Sequence, residues 1–315
     1  MITTMCMPDR RSALVFLAVA GLLLWTGQAS AADDGAKERT ARIVSVGGAV
    51  TEILYALGKE QAIVGIDTTS LYPPQAQKEK PSVGYMRQLS AEGVLGLRPS
   101  MILAIEGSGP KDTLSVLEAA KVPLIVVPDS YTGDGIVRKV TAIAKAVGEE
   151  RRGACLAGAV TADLAALDRL KAGIGKKKRV LFLLSFINGR AMVAGRHTAA
   201  DGIIRMAGAE NAITEYEGYK PISDEALIAA KPDVVLAMER GGPGAVNAGT
   251  VFANAGFAAT PAAAQRSFLA MDGLYLLGFG PRTARAARDV AASLYPELKS
   301  APLPSEAEGA AGCKE

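Results

Sequence analysis

The sequence holds one histidine, three cysteines and one tryptophan in 315 residues, and aromatic residues make up only 5% of it. Each scarcity removes a class of chemistry. The single histidine, His197, excludes two-histidine metal sites and the paired histidines of zinc-protease helices. The cysteines form no Cys-x-x-Cys pair, so a zinc ribbon or a dithiol redox motif is excluded. A Gly-x-Ser-x-Gly elbow and a phosphate-cradling Walker loop are both missing. Net charge is only +3, and the one tight basic cluster, Lys176 to Arg179, directly precedes an apolar run, as the solvated start of a strand would. With no basic stripe and no aromatic platform, nucleic acid is not an expected partner.

What is present begins with an export signal. Arg10 and Arg11 precede a mostly apolar run from Ala13 to Trp25, and Ala29-Ser30-Ala31 is a small-x-small cleavage site. Residues 1–31 are therefore expected to be a signal peptide, with the mature chain starting at Ala32. The residues after the paired arginines fit the twin-arginine route poorly, so ordinary secretion is expected. That apolar run is too short for a stable span, and no later run is longer. No cysteine stands at the cleavage point to take a lipid, so the product is expected to be soluble in the periplasm; a monomer is also expected. Export leaves Cys155 and Cys313, in a compartment that permits a disulfide, but spacing alone does not bring them within bonding distance.

The mature chain alternates buried strands with helices. Arg42–Val46, Ala62–Ile66, Met101–Ile105 and Pro123–Val127 have strand character, as do Arg179–Leu184 and Asp233–Ala237. Helical patterns separate them, the longest running from Glu149 to Leu170. Alternation of this kind predicts an α/β fold with parallel-rich sheets. An internal repeat divides it: Leu89–Gly109 aligns without gaps on Ile222–Gly242, with identities that include Ser90/Ser223, Glu92/Glu225, Pro99/Pro232 and Glu106/Glu239. Each copy has the pattern of a short acidic helix, a proline break and a buried strand. The expected architecture is two Rossmann-like lobes, 32–148 and 176–298, joined by one long helix over 149–175 and followed by a disordered tail over 299–315. A cleft between two such lobes is a usual ligand site.

One segment carries chemistry. In Ser82–Glu92, Pro81 and Gly84 make a loop that presents the Tyr85 phenol, with the Arg87 guanidinium two residues on. In an extended loop both side chains share a side, and a neighbouring cation favours the phenolate form of Tyr85. A phenolate is a hard anionic donor suited to ferric iron, and tyrosine is a known axial haem ligand. His197 falls in the loop before a helix capped by Thr198, where a solvated bystander is the preferred reading and an iron ligand the alternative. Arg190, Arg196, Lys220 and Arg240 are candidate partners for ligand carboxylates, unranked by sequence. Glu92 and Glu225 are first-turn helix acids at matching repeat positions.

From Arg42 to Pro296 the chain resembles the class III periplasmic binding proteins, and specifically the haem-binding proteins of bacterial haem ABC importers. Thr51–Gly58, Tyr72–Gln77, Gly195–Gly202 and Lys231-Pro232-Asp233 carry the general likeness, and Val83–Gly93 with its Gly-Tyr-Met-Arg core carries the haem-specific part. The resemblance implies haem as the transported ligand, Tyr85 as axial ligand and Arg87 as its hydrogen-bond partner. It further implies limited hinge closure, and Glu92 and Glu225 docking onto a dimeric permease served by an ATPase. His197 departs from the small residue usual before the helix cap. The same fold binding a siderophore or cobalamin is the alternative function, and a periplasmic haem- or metal-dependent enzyme is a more distant one.

Overall fold

The computed structural model describes Met1 and residues 41–239, 246–298, 302–307 and 313. The cleavage signal expected around Ala31 and the candidate Arg240 lie outside the described residues.

In the first lobe, β1 (Ile43–Val46), α1 (Gly48–Ala56) and β2 (Ile63–Ile66) are followed by α2 (Pro74–Glu79) and two short strands, β3 (Gly84–Tyr85) and β4 (Gln88–Leu89). Then come α3 (Ala91–Gly96), β5 (Met101–Ile105), α4 (Lys111–Ala119), β6 (Leu124–Val127) and α5 (Gly133–Ala146). The main sheet is ordered β2-β1-β5-β6 with every pair parallel. Strand order reverses between β1 and β5, which opens a crevice beyond their C-terminal ends. Side chains alternate between two cores. Ile43, Leu103 and Ile105 enter one, while Val44, Val46, Ile102 and Ala104 enter the other. Burial on both faces is why these strands read as unbroken apolar runs.

Helix α6 (Glu150–Lys171) leads to the second lobe. There β7 (Arg179–Ile187) and β8 (Arg190–Ala194) form a hairpin, followed by α7 (Ala199–Met206), β9 (Glu210–Asn211), β10 (Tyr219–Ile222), α8 (Asp224–Ala230) and β11 (Val234–Glu239). Short helices α9 (Ala248–Phe252), α10 (Ala255–Ala258) and α11 (Pro261–Ala264) precede β12 (Phe268–Asp272), α12 (Gly273–Leu277) and α13 (Thr283–Leu294). The sheet is mixed. β7, β11 and β12 are parallel, β8 runs against β7, β10 runs against β8 at the edge, and β9 joins the start of β7 in parallel. The α/β, parallel-rich expectation holds. Both repeat copies fold as a serine-capped helix, a proline and a strand, and in both the basic residue before the proline, Arg98 or Lys231, takes a left-handed backbone (φ 48° and 44°).

Of the tail expected over 299–315, only residues 302–307 and 313 are described. Residues 302–307 are ordered, with helix α14 (Pro304–Ala307) lying on α6. Asp163, buried in α6, accepts hydrogen bonds from the Ser305 amide (2.9 Å) and hydroxyl (2.5 Å). Arg288 pairs with Glu306, and Cys155 is bonded to Cys313. Composition alone suggested disorder, but a buried carboxylate and a covalent link hold the segment to the connecting helix.

The lobes meet along a polar and aromatic seam. Glu52 of α1, 6% exposed, accepts two hydrogen bonds from the Arg282 guanidinium at 3.0 Å, and that guanidinium lies 3.5 Å from the Tyr72 ring centroid. Lys139 of α5 is fully buried and donates to Asp129 (2.6 Å) and to the Phe279 carbonyl (3.0 Å). The Tyr131 and Phe279 rings meet edge to face at 5.3 Å. Gly202 sits inside α7 because a Cβ there would fall 2.7 Å from the Tyr131 carbonyl oxygen. Tyr72 follows β2 and Asp129 and Tyr131 follow β6, so the C-terminal ends of these first-lobe strands border the second lobe.

Candidate functional site

The Tyr85 loop stands at this edge. β3 and β4 pair antiparallel, Gly84 with Leu89 and Tyr85 with Gln88, so Met86 and Arg87 form a two-residue turn. Gly84 takes φ 94°, a conformation that suits glycine and lets the chain enter the hairpin. Three backbone bonds pin the hairpin: the Gly84 carbonyl accepts from Thr68 (2.9 Å), the Met86 carbonyl from Gly109 (2.9 Å), and the Leu89 amide donates to Gly109 (2.9 Å). The Thr113 hydroxyl adds a fourth bond, to the Leu89 carbonyl at 3.1 Å. A rigid base therefore carries Tyr85, which is 43% exposed. Two more exposed apolar side chains, Leu71 (42%) and Tyr72 (39%), belong to the loop after β2.

The expectation of one extended loop with Tyr85 and Arg87 on a common side is not met, because Arg87 occupies the turn itself. Its charge reaches two other phenols, Tyr131 of the first lobe and Tyr219 of the second, and acts to lower the pKa of each. Both phenols nonetheless titrate above the ordinary value. For Tyr131, burial is the main cause, with Asp129 and Glu106 adding to it. For Tyr219, burial outweighs the Ala200 amide, the Thr198 hydroxyl and Arg87, which all favour the anion. Both are therefore neutral hydrogen-bonding phenols near neutral pH. Sequence reading passed over them. Both pack against the hydrophobic core of the second lobe.

The other candidates are dispersed. Thr198 caps α7 as expected, its hydroxyl oxygen accepting from the Asp201 amide at 3.0 Å. His197 precedes it with φ 58°, its side chain 73% exposed and its Nε2 3.4 Å from Glu217. Glu217 also lies 3.6 Å from Arg196, so this histidine belongs to an exposed polar cluster on the second lobe. Arg190 is exposed beside the Asn188-Gly189 turn of the β7–β8 hairpin, where both turn residues have positive φ, as a tight hairpin requires. Lys220 lies 5.2 Å over the Tyr216 ring. Arg87 thus acts electrostatically on Tyr131 and Tyr219, while Arg190, Arg196 and Lys220 each have a separate setting on the second lobe.

Glu92 and Glu225 are both exposed in the first turns of α3 and α8. Ser90 and Ser223 cap these helices, accepting from the Gly93 (3.2 Å) and Ala226 (3.3 Å) amides. The Glu225 carboxyl is held below its ordinary pKa by its own backbone amide and by the Ser223 hydroxyl, as at a helix start. Among the described residues, no group of three or more His, Cys, Asp or Glu is placed to hold a metal ion. None of the described helices is long and apolar enough to cross a membrane.

Comparison with known proteins accords with this architecture. The haem-binding protein RhuT from Roseiflexus sp. RS-1, in its apo form, superposes with a TM-score of 0.78 at 40% identity, covering 82% of this chain and all (100%) of that one. An uncharacterized ABC transporter substrate-binding lipoprotein of Bacillus subtilis, YvrC, is 26% identical over 272 residues, 85% of this chain and 84% of the relative. A vitamin B12-binding protein of Pectobacterium atrosepticum is 24% identical over 200 residues, 62% of this chain and 70% of the relative. The sequence profile of the periplasmic binding proteins matches residues 43–274, and the chain belongs to that family.

Proposed function

We propose that this protein captures haem in the cleft between its lobes and delivers it to an ABC importer. The family supplies substrate-binding components of such importers, which places the work outside the cytoplasm and implies a permease and an ATPase as partners. The observation that carries the haem reading is Tyr85, an exposed phenol on a hairpin fixed by backbone bonds, with exposed Leu71 and Tyr72 on a nearby loop. A flat apolar macrocycle suits such a surface, and a ferric centre suits a phenolate. RhuT, named as haem-binding, supports the choice at 40% identity. Tyr85 is the axial ligand in this reading, with Arg87 supplying positive charge to the site rather than a shared face.

Glu92 and Glu225 are the docking points for the two permease subunits. Each projects from a serine-capped helix start that follows a cleft-bordering strand, one per lobe. His197 remains a bystander, engaged with Glu217 when protonated.

Cobalamin is the second reading, favoured by the vitamin B12-binding relative. Parallel titrations of the mature protein with hemin and with cyanocobalamin separate the two. Tight hemin binding with a ferric-phenolate spectrum, and no cobalamin binding, is expected. Cobalamin binding without hemin binding would reverse the assignment.

A further inference from the structure

The connecting helix α6 belongs to both lobes. Leu156 and Ala157 pack against the first-lobe core of Val50, Leu103 and Ile143, whereas Val160 and Leu167 lie in the second-lobe core with Val180, Phe182 and Leu236. The helix therefore passes from one core to the other between Ala157 and Val160. Its two glycines differ in purpose. A Cβ on Gly153 would fall 2.2 Å from the Ala144 Cβ, so this glycine lets α6 lie close against α5. Gly158 stands at the crossing itself. A Cβ there would meet nothing within 4 Å, and the residue is exposed, so packing does not call for glycine. What glycine supplies inside a helix is backbone freedom, which weakens the helix at that point relative to alanine.

Each side of the crossing is held to its own lobe. At the start of α6, Glu149 pairs with Lys59, and the Arg152 guanidinium donates to the Leu57 carbonyl at 3.1 Å. Beyond the crossing, Asp163 is 1% exposed and accepts from the Ser305 amide and hydroxyl. The Ser305 hydroxyl in turn accepts from Arg285 of α13 at 2.8 Å, and Glu306 pairs with Arg288 of the same helix. The C-terminal strap is thus fixed here to α13 and to the second-lobe half of α6. Its other fixed point is Cys313, bonded to Cys155 on the first-lobe half. Cys155 and Asp163 are about 12 Å apart along the helix, and Gly158 falls between them.

We propose that the C-terminal strap is a splint across a hinge at Gly158, which joins the two halves of α6 and limits bending where the helix changes lobes. The buried Asp163 contact anchors the splint on one side of the hinge and the disulfide on the other. It bears on the hinge in the free and the loaded protein alike, so it restrains lobe movement without adding to ligand affinity. The inference holds whichever ligand the cleft takes.

Pulsed electron paramagnetic resonance on the mature protein tests this, with nitroxide labels on Ser115→Cys and Ala229→Cys, exposed positions of α4 and α8. Three backgrounds are compared: the native disulfide, Cys155→Ser with Cys313→Ser, and that pair with Gly158→Ala. Melting curves confirm that each folds. Opening the disulfide should broaden the distribution of distances between the lobes, and Gly158→Ala should narrow it again, because alanine stiffens the helix without a clash. A distribution as narrow without the disulfide as with it would overturn the splint. Broadening that Gly158→Ala leaves untouched would overturn Gly158 as the hinge.

Discussion

The two lobes share a repeated segment whose copies, Gly84–Ser90 and Gly218–Ser223, differ in length by one residue, and the difference between Tyr85 and Tyr219 shows how much one residue changes in a strand. Strand side chains alternate faces, so a one-residue change in register or length re-aims everything beyond it. In the first lobe the longer segment folds back as a hairpin, and the phenol is left 43% exposed. In the second the shorter segment lies flat on β8 and the phenol is drawn inward. Downstream of that point the copies agree again, through the serine cap, the acidic first turn, the left-handed basic residue and the proline. The copies thus differ in structure where length differs and agree where length is shared.

The comparison can be broken at the seam, where the largest effect on stability is expected. Glu52→Ala leaves Arg282 without its carboxylate between the lobes, and removing one partner of a buried pair costs about 3 kcal/mol. Chemical denaturation should show that loss. A change below about 0.5 kcal/mol, the scale of an ordinary surface substitution, would mean the lobes do not depend on this pair. Next is the C-terminal strap over α6. Cys313→Ser frees a segment tied to α6 across a sequence separation of 158 residues. Destabilisation of about 2 kcal/mol is expected from the chain freedom regained on unfolding. Hemin affinity should stay at the wild-type level, because the strap touches α6 and α13 and none of the cleft tyrosines.

Much of this organisation was legible beforehand. Turn-bounded apolar runs gave the strands, breaker-free stretches gave α5 and α6, and the repeat exposed the two-lobe plan. What escaped was set by long-range partners. Glu52 and Lys139 are charged residues in helices, where solvent exposure is the ordinary expectation. They are buried because Arg282, Asp129 and the Phe279 carbonyl meet them from distant parts of the chain. The tail has the composition of disorder, yet it is held by Asp163, 142 residues away in sequence. The turn at Met86-Arg87 lacks the Asn-Gly signal that marks the β7–β8 hairpin, so the loop read as extended.

The shared half of the comparison is sharpened by Glu92→Ala combined with Glu225→Ala. The double variant should keep wild-type hemin affinity and stability, while hemin-stimulated ATP hydrolysis by the reconstituted transporter falls about tenfold through lost encounter and register. Each single variant should show part of the decrease. Unchanged stimulation would return both acids to plain helix starts. The smallest effect concerns pH. Burial raises the Glu306 carboxyl, but the Leu303 amide, Arg288 and Arg285 outweigh it, so its pKa lies below the ordinary 4.5. The stability from a depressed carboxylate is complete above its unfolded pKa and is lost as pH falls through its folded one. The melting-temperature gap between wild type and Glu306→Gln should therefore be constant from neutral pH to about 5 and close below about 4. A gap that widens with acid would remove Glu306 from the strap.

The absorption spectrum of equimolar hemin with wild type, Tyr85→Phe and Tyr219→Phe tests the central claim most directly. A phenolate-to-iron band is expected in the wild type and in Tyr219→Phe. In Tyr85→Phe that band should disappear and affinity should fall about a hundredfold, roughly 2.7 kcal/mol. A band that survives in Tyr85→Phe, or that vanishes in Tyr219→Phe, would contradict the assignment of the metal to the exposed copy of the loop.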